Sequence, residues 1–290
     1  MIELVFFFIA LIALLIATYS DVRTREVPDW INYSLIAAGL GIRIMYSLHY
    51  GRLEYIVDGL LGLAIFFAFA YVMFYTGQWG GGDSKCLMGL GALLGIQFRL
   101  DSFALSMLIN IFVIGAAYGL LYSVVLAVRH WRDFVGEWRA LRLTKEFTTL
   151  RVVLLLFTFM GIVAGFIVDD LRVRFILFSV LIFFLLLFYT FIFTKAVERS
   201  CMHRWTKPEE LTEGDWIVHD VIVDGKRVCG PKDLGVSKEQ IAELVRLHKK
   251  KKLNKILMKV GIPFEPAFLI ALIVTWFVGN LFMPVLQLVQ

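Results

Sequence analysis

Two aspartates, each at the edge of an apolar run, carry the chemistry that this sequence can be read for. Asp83 follows three consecutive glycines in Trp79-Gly80-Gly81-Gly82-Asp83-Ser84-Lys85, between two strongly apolar stretches. Asp21 ends the first apolar stretch, in Ser20-Asp21-Val22-Arg23-Thr24-Arg25-Glu26-Val27-Pro28-Asp29. A carboxylate beside hydrocarbon is costly and is found there with a partner or a task. Two carboxyl groups brought together share a proton, because the first ionisation opposes the second. In such a pair the ionised member accepts a proton from an attacking water, while the protonated member donates to the peptide carbonyl oxygen. No metal, no other cofactor and no covalent intermediate is required. Each residue also has a plainer reading: Asp83 as the cap of a helix that begins after the glycines, and Asp21 as an interfacial loop acid.

The neighbours fit the same chemistry. Gly80, Gly81 and Gly82 offer bare backbone beside Asp83, so an extended peptide can hydrogen-bond there with no side chain intervening. Lys85, Glu26 and Asp29 are the charged residues beside the two motifs and complete the expected substrate-binding set, with Glu26 and Asp29 reading alternatively as solvated interfacial acids.

The elements that must position these residues are membrane spans. Of 290 residues 59% are hydrophobic and 18% charged, with a mean hydropathy of +0.77, well above that of an average soluble domain. The expected fold is an α-helical polytopic membrane protein of about six to eight transmembrane helices with a small α+β cytoplasmic subdomain. Eight apolar segments are legible, over 2–19, 31–48, 56–76, 84–98, 103–128, 152–168, 174–194 and 266–288. The first lacks a basic start and a small-x-small cleavage site before Asp21, so it reads as a retained span. Of the 29 Lys and Arg residues, only Arg52, Arg99, Arg172 and Arg174 fall in the loops of one side, and Arg43 lies inside the second span. The remainder set the other side in the cytoplasm, with both termini outside and both aspartates at the cytoplasmic face. The same placement explains the net charge of +5 without nucleic acid. Arg43 is expected to pair with a carboxylate such as Asp58 or to reach outward.

Four regions follow: 1–128, the catalytic core carrying both aspartates; 129–194, a basic cytoplasmic loop and two further spans; 195–263, the α+β subdomain; and 264–290, a final span. Within the subdomain, Trp216 to Val223 reads as a strand and Asp224-Gly225 as a hairpin turn into a return strand from Lys226. Ser237 and Gln240 read as a capping box opening a helix with Ile241, Leu244, Val245 and Leu247 on one face. Its basic end, Lys249 to Lys252, is expected along anionic lipid headgroups or simply in solvent. Cys86, Cys201 and Cys229 form no C-x-x-C pair, and Cys201, His203, His219 and Cys229 are irregularly spaced, so no metal is expected.

Gly80-Gly81-Gly82-Asp83 resembles the G-x-G-D signature of intramembrane aspartyl proteases. Continued through Ser84-Lys85, it resembles the form found in type IV prepilin peptidases and archaeal preflagellin peptidases. Asp21 with Arg23, Arg25, Val27-Pro28 and Asp29 is similar to that family's first aspartate motif, and Gly261 to Phe268 resembles a proline-containing segment of its archaeal branch. The resemblance implies an endopeptidase that removes the short basic leader of prepilin-like or preflagellin-like proteins at the cytoplasmic face, with Asp21 and Asp83 as the catalytic dyad. The chain lacks the four-cysteine zinc domain that bacterial members often carry, and eight segments exceed the six of the archaeal branch, with the extra pair placed among spans five to seven. The reading from a different class is a secondary transporter or channel with a glycine-interrupted helix at its ion site, although the halves show no internal repeat.

Overall fold

Long unbroken apolar runs satisfy their backbone polar groups only within helices when water is absent, and helices dominate this chain. A computed structural model describes residues 2–97, 99 and 102–284. The helices are α1 (Ile2–Thr24), α2 (Asp29–Tyr50), α3 (Glu54–Tyr75), α4 (Gly81–Leu94), α5 (Phe103–Arg129), α6 (Trp131–Leu143), α7 (Lys145–Ile167), α8 (Leu171–Cys201), α9 (Lys238–Lys249) and α10 (Glu265–Val278). Short strands β1 (His203–Thr206), β2 (Trp216–Ile217), β3 (Val221–Val223), β4 (Lys226–Cys229) and β5 (Ile256–Lys259) lie between α8 and α10.

Six helices, α1, α2, α3, α5, α7 and α8, are long and apolar enough to cross a membrane, which makes this a multi-pass membrane protein. α4 and α10 have 14 residues each, about 21 Å of helix against a hydrocarbon core of about 30 Å. The segments expected over 84–98 and 266–288 both end on residues outside those described.

The described chain divides into two compact units. The first takes in residues up to 119, 206–256 and from 261 onward. α4 is its centre: Cys86, Leu87, Leu90, Ala92 and Leu93 are fully buried against Phe66 of α3, Leu35 of α2, Leu14 of α1, Met107 and Ile111 of α5, and Phe268 of α10. Helices pack so closely here because small residues face one another. A Cβ on Gly91 would lie 2.6 Å from the Gly62 carbonyl oxygen of α3, and one on Gly39 of α2 would lie 2.6 Å from the Leu93 Cα.

Arg43 serves this packing. Its guanidinium donates to the carbonyls of Leu93 and Leu94 at the end of α4 and of Tyr55 on α3. It therefore satisfies main-chain acceptors at a helix end, where the sequence suggested an ion pair; the Asp58 charge stands nearby.

The polar part of this unit holds the β3–β4 hairpin, with Val223 opposite Lys226. Asp224 and Gly225 take φ of 52° and 77°, as a two-residue type I′ turn requires. The single strand expected over 216–223 is two, β2 and β3. The break falls where the Asp220 carboxylate turns to accept from Arg227 Nε at 2.7 Å. α9 opens on the expected reciprocal cap: Ser237 Oγ accepts from Gln240 N–H, and Gln240 Oε1 accepts from Ser237 N–H. Leu244 and Leu247 are its buried face.

The second unit takes in 120–205 and 257–260. α6 occupies part of the stretch expected as a loop. Phe134, Trp138 and Leu141 recur at i, i+4 and i+7 and pack with Phe188 and Ile192 of α8, while Arg132, Arg139 and Arg142 stay exposed. α7 and α8 present large apolar side chains outward, among them Phe166 at 79% and Phe175 at 73% exposure, as lipid contact demands.

Candidate active site

Asp21 stands inside helix α1, in its last complete turn, because the helix runs on to Thr24. The Thr24 hydroxyl donates to the Ser20 carbonyl, and Arg25 ends the helix with a left-handed φ of 62°. Ser20 Oγ then donates to the Glu26 carbonyl at 2.8 Å, folding the loop back on the helix end. Pro28 is the N-cap of α2 and places Asp29 in its first turn. The outcome is that Asp21 is only 6% exposed, whereas Glu26 and Asp29 are at the surface.

The glycine motif meets this loop directly. Gly80 is extended and caps α4, while Gly81 and Gly82 already belong to its first turn. Asp83, the third helical residue, reaches back so that Oδ2 accepts the Gly80 N–H at 3.3 Å. A Cβ on Gly82 would lie 3.1 Å from Val27 Cβ, so the missing side chain is what lets the first loop lie against α4. Asn32 donates to the Gly82 carbonyl at 3.5 Å, and Lys85 Nζ is 2.7 Å from Asp29 Oδ1. That last pair is substantially exposed on both sides, so it contributes at most about 1 kcal/mol and acts mainly as a link between the two motifs.

Asp21 and Asp83 thus come from different helices to one end of the first unit, where their charges interact. Asp83 is half-buried, and the Asp21 carboxylate is fixed by a buried N–H: Oδ2 accepts from the backbone of Glu265 at 3.0 Å. Glu265, the first residue of α10, is fully buried, and its Oε2 accepts from the Cys86 thiol of α4 at 3.4 Å. The reading from sequence singled out neither Glu265 nor Cys86 as a site residue. The available signal was an acid beside Pro266 in an apolar segment, with no Lys or Arg within four residues on either side.

Aromatic packing holds the entrance to α4. Trp79 is 8% exposed and its ring lies 5.4 Å from both Phe264 and Phe268 and 5.7 Å from Phe112. The turn before it has Gly77 at φ 68°, against which Trp216 of β2 packs. Asp215, next to Trp216, lies within range of the Glu26 charge; burial holds its carboxyl above the usual range, opposed by the Thr212 N–H that it accepts at 2.8 Å. Among the described residues no three His, Cys, Asp or Glu side chains are grouped to hold a metal ion.

The geometry provides two carboxyl groups whose charges interact, one buried and oriented, one half-buried, at one end of an apolar helical core. Comparison with known proteins covers the segment that holds both aspartates. Residues 8–128 match the sequence profile of the type IV leader peptidase family. The preflagellin peptidase of Methanocaldococcus jannaschii is 35% identical over 88 residues, 30% of this chain and 37% of that protein. The preflagellin peptidase of Methanococcus voltae is 37% identical over 86 residues, 30% of this chain and 36% of its own length. Prepilin peptidase EppA of Methanothermobacter thermautotrophicus is 30% identical over 125 residues, 43% of this chain and 32% of that protein. The matches therefore span about a third of these relatives' length. Residues 8–128, the segment that contains both aspartates, are similar to the type IV leader peptidase family.

Proposed function

We propose that the protein is a membrane aspartyl endopeptidase that removes the basic leader of preflagellin-like or prepilin-like substrates at the cytoplasmic face. The observation that carries this reading is the meeting of Asp21 and Asp83 at one end of a helical core, inside the segment that matches the leader peptidase family. One carboxylate accepts a proton from water as the water attacks the scissile carbonyl, and the other, protonated, donates to the carbonyl oxygen. On collapse, the proton held by the first carboxyl group passes to the leaving amine while a hydroxyl proton of the tetrahedral intermediate returns to the second, which restores the dyad for the next turnover.

The surroundings supply orientation. The Asp21 carboxylate is pinned by the main chain at the start of α10, by the Glu265 N–H and by that of Phe264. The extended Gly80 and the open Gly81, whose Cβ would find nothing nearer than 3.8 Å, are where the substrate backbone lies; Gly82 contributes by letting Val27 and the first loop close against α4. Glu26 and Asp29 are exposed acids at this end, suited to a basic leader, and Lys85 holds Asp29 in place. The distribution of Lys and Arg supports the reading of this end as cytoplasmic and of both termini as outside.

Reconstitution in liposomes with a preflagellin-like or prepilin-like protein, followed by N-terminal mass spectrometry, tests the reading. The expected product is a single cut between the basic leader and the hydrophobic helix, slowed when leader Lys and Arg are replaced by Gln. A substrate left intact, or cut without regard to the leader, would contradict it.

A further inference from the structure

A third carboxyl group lies beside the two aspartates with no assigned task. Glu265 has no exposed surface, and its Oε1 is buried with no hydrogen-bond partner. The titratable groups that face it are Asp83 and Cys86 of α4 and Asp21 of α1, while Arg25 acts on Asp21 from the helix end. Its Oε2 takes the Cys86 thiol, and its main-chain N–H holds Asp21. A fully buried acid with a lone unpaired oxygen, within range of the charges of two other carboxyl groups, has no packing rationale that an apolar side chain would not meet better.

The consequence follows from counting protons. A pair of carboxyl groups alone gives up its shared proton at mildly acidic pH, as the pepsin example in the general rule illustrates. A leader peptidase working at the cytoplasmic face needs that proton near neutrality. With a third carboxyl in the same cluster, the last of the shared protons is lost only when the cluster carries three negative charges in place of two. Losing each proton is harder as like charge accumulates, and the three groups titrate as one unit.

Resting on the function proposed above, we propose that Glu265 is a positioning residue of charge, acting through Asp21 and Asp83 to keep their shared proton in place at neutral pH. It extends the working range of the pair upward, and its backbone fixes one member of the pair in orientation.

The test is the pH profile of kcat/KM for leader removal by the full-length chain in liposomes, for the wild type, Glu265→Gln and Glu265→Asp. Gln keeps the size and an acceptor for the Cys86 thiol but removes one titrating group. The alkaline limb of Glu265→Gln is expected to move to lower pH by about one unit or more, an at least tenfold loss above that limb that is regained on acidification. Glu265→Asp, which keeps a carboxyl, is expected to retain a limb near that of the wild type. A purely structural role predicts loss at every pH with no regain. That outcome, or an unchanged limb in Glu265→Gln, overturns the proposal.

Infrared titration of the protonated carboxyl band in the same liposomes reads the cluster without any cleavage. A proton retained to higher pH in the wild type than in Glu265→Gln is expected. The same titration curve in both variants refutes the role of Glu265 even if leader removal is never observed, and the expected difference without cleavage would refute only the substrate reading.

Discussion

Replacing Gly91 by Ala puts one methyl group into the α3–α4 contact, and the structure states what it meets. The new Cβ would lie 2.5 Å from Phe66 Cβ and 2.6 Å from the Gly62 carbonyl oxygen. Neither neighbour is the free end of a flexible side chain, so the helices must separate. Overpacking of this kind costs about 1–3 kcal/mol, and the higher helix propensity of Ala returns up to about 1 kcal/mol. The net loss of about 1–2 kcal/mol corresponds to a fall of several degrees in Tm for a chain of this size. The site is affected as well, because Asp83 begins the same helix about 12 Å away, and a displacement of an ångström at a reacting group can cost about a hundredfold in rate. Gly41 is the control: it is also inside a helix, α2, but a Cβ there meets nothing within 4 Å, so Gly41→Ala is expected to be neutral or stabilising by up to about 1 kcal/mol. Thermal unfolding in detergent and leader removal in liposomes read both effects. Equal behaviour of the two variants would refute the account of how α4 is held.

Three other outcomes are expected. Arg43→Met leaves the carbonyls of Leu93, Leu94 and Tyr55 without their donor. At about 1–3 kcal/mol for a buried group left unsatisfied, a loss of about 3 kcal/mol or more should appear in denaturant unfolding; a variant as stable as the wild type would argue against this capping role. Burial pushes the Cys229 thiol up to about 11, so about one molecule in a thousand is thiolate at pH 8. Its alkylation in the native protein should be about a hundredfold slower than that of a free thiol, and equal rates would show that the hairpin site is open. The raised Asp215 carboxyl favours the folded state most below the ordinary Asp range, and that contribution is lost as pH rises through the folded-state value. Asp215→Asn keeps an acceptor for Thr212, so it should raise Tm at pH 8 more than at pH 4; a larger gain at pH 4 would reverse the assignment.

Much of this architecture is legible in the amino-acid order. The spans show because a membrane helix must be apolar along about 20 residues, a signal that local propensity does not obscure. The Ser237–Gln240 cap and the Asp224-Gly225 turn are local devices with local signatures, and both are found where expected. What escapes is what depends on three-dimensional neighbours. The 216–223 stretch looks like one strand until Asp220 turns to Arg227. α6 has only 13 residues, and its charged face reads as a loop unless the spacing of Phe134, Trp138 and Leu141 is given precedence. Arg43 looks like half of an ion pair because a sequence displays side-chain charges and hides the carbonyls at the end of α4. Asp21 and Asp83 are visible as separate anomalies, each flanked by charges and glycines. Glu265, distant in sequence and unremarkable in type, becomes notable only once α10 is folded against α1 and α4.

The aspartates also have structural work, which shapes how they must be tested. Asp83 accepts the Gly80 N–H at the start of α4, and Asp21 accepts the Glu265 N–H. Substitution by Ala removes these bonds along with the carboxyl groups, at a cost of about 1 kcal/mol for the helix cap. Substitution by Asn keeps an acceptor in each place and removes only the proton chemistry.

The most direct measurement is therefore the rate of leader removal by Asp21→Asn, Asp83→Asn and the double variant, with folding checked by thermal unfolding. If the two carboxyl groups act as one unit, each single variant loses about a thousandfold or more, and the double variant is no worse than either. A single variant that cleaves at the wild-type rate, or losses that multiply in the double variant, would contradict the dyad.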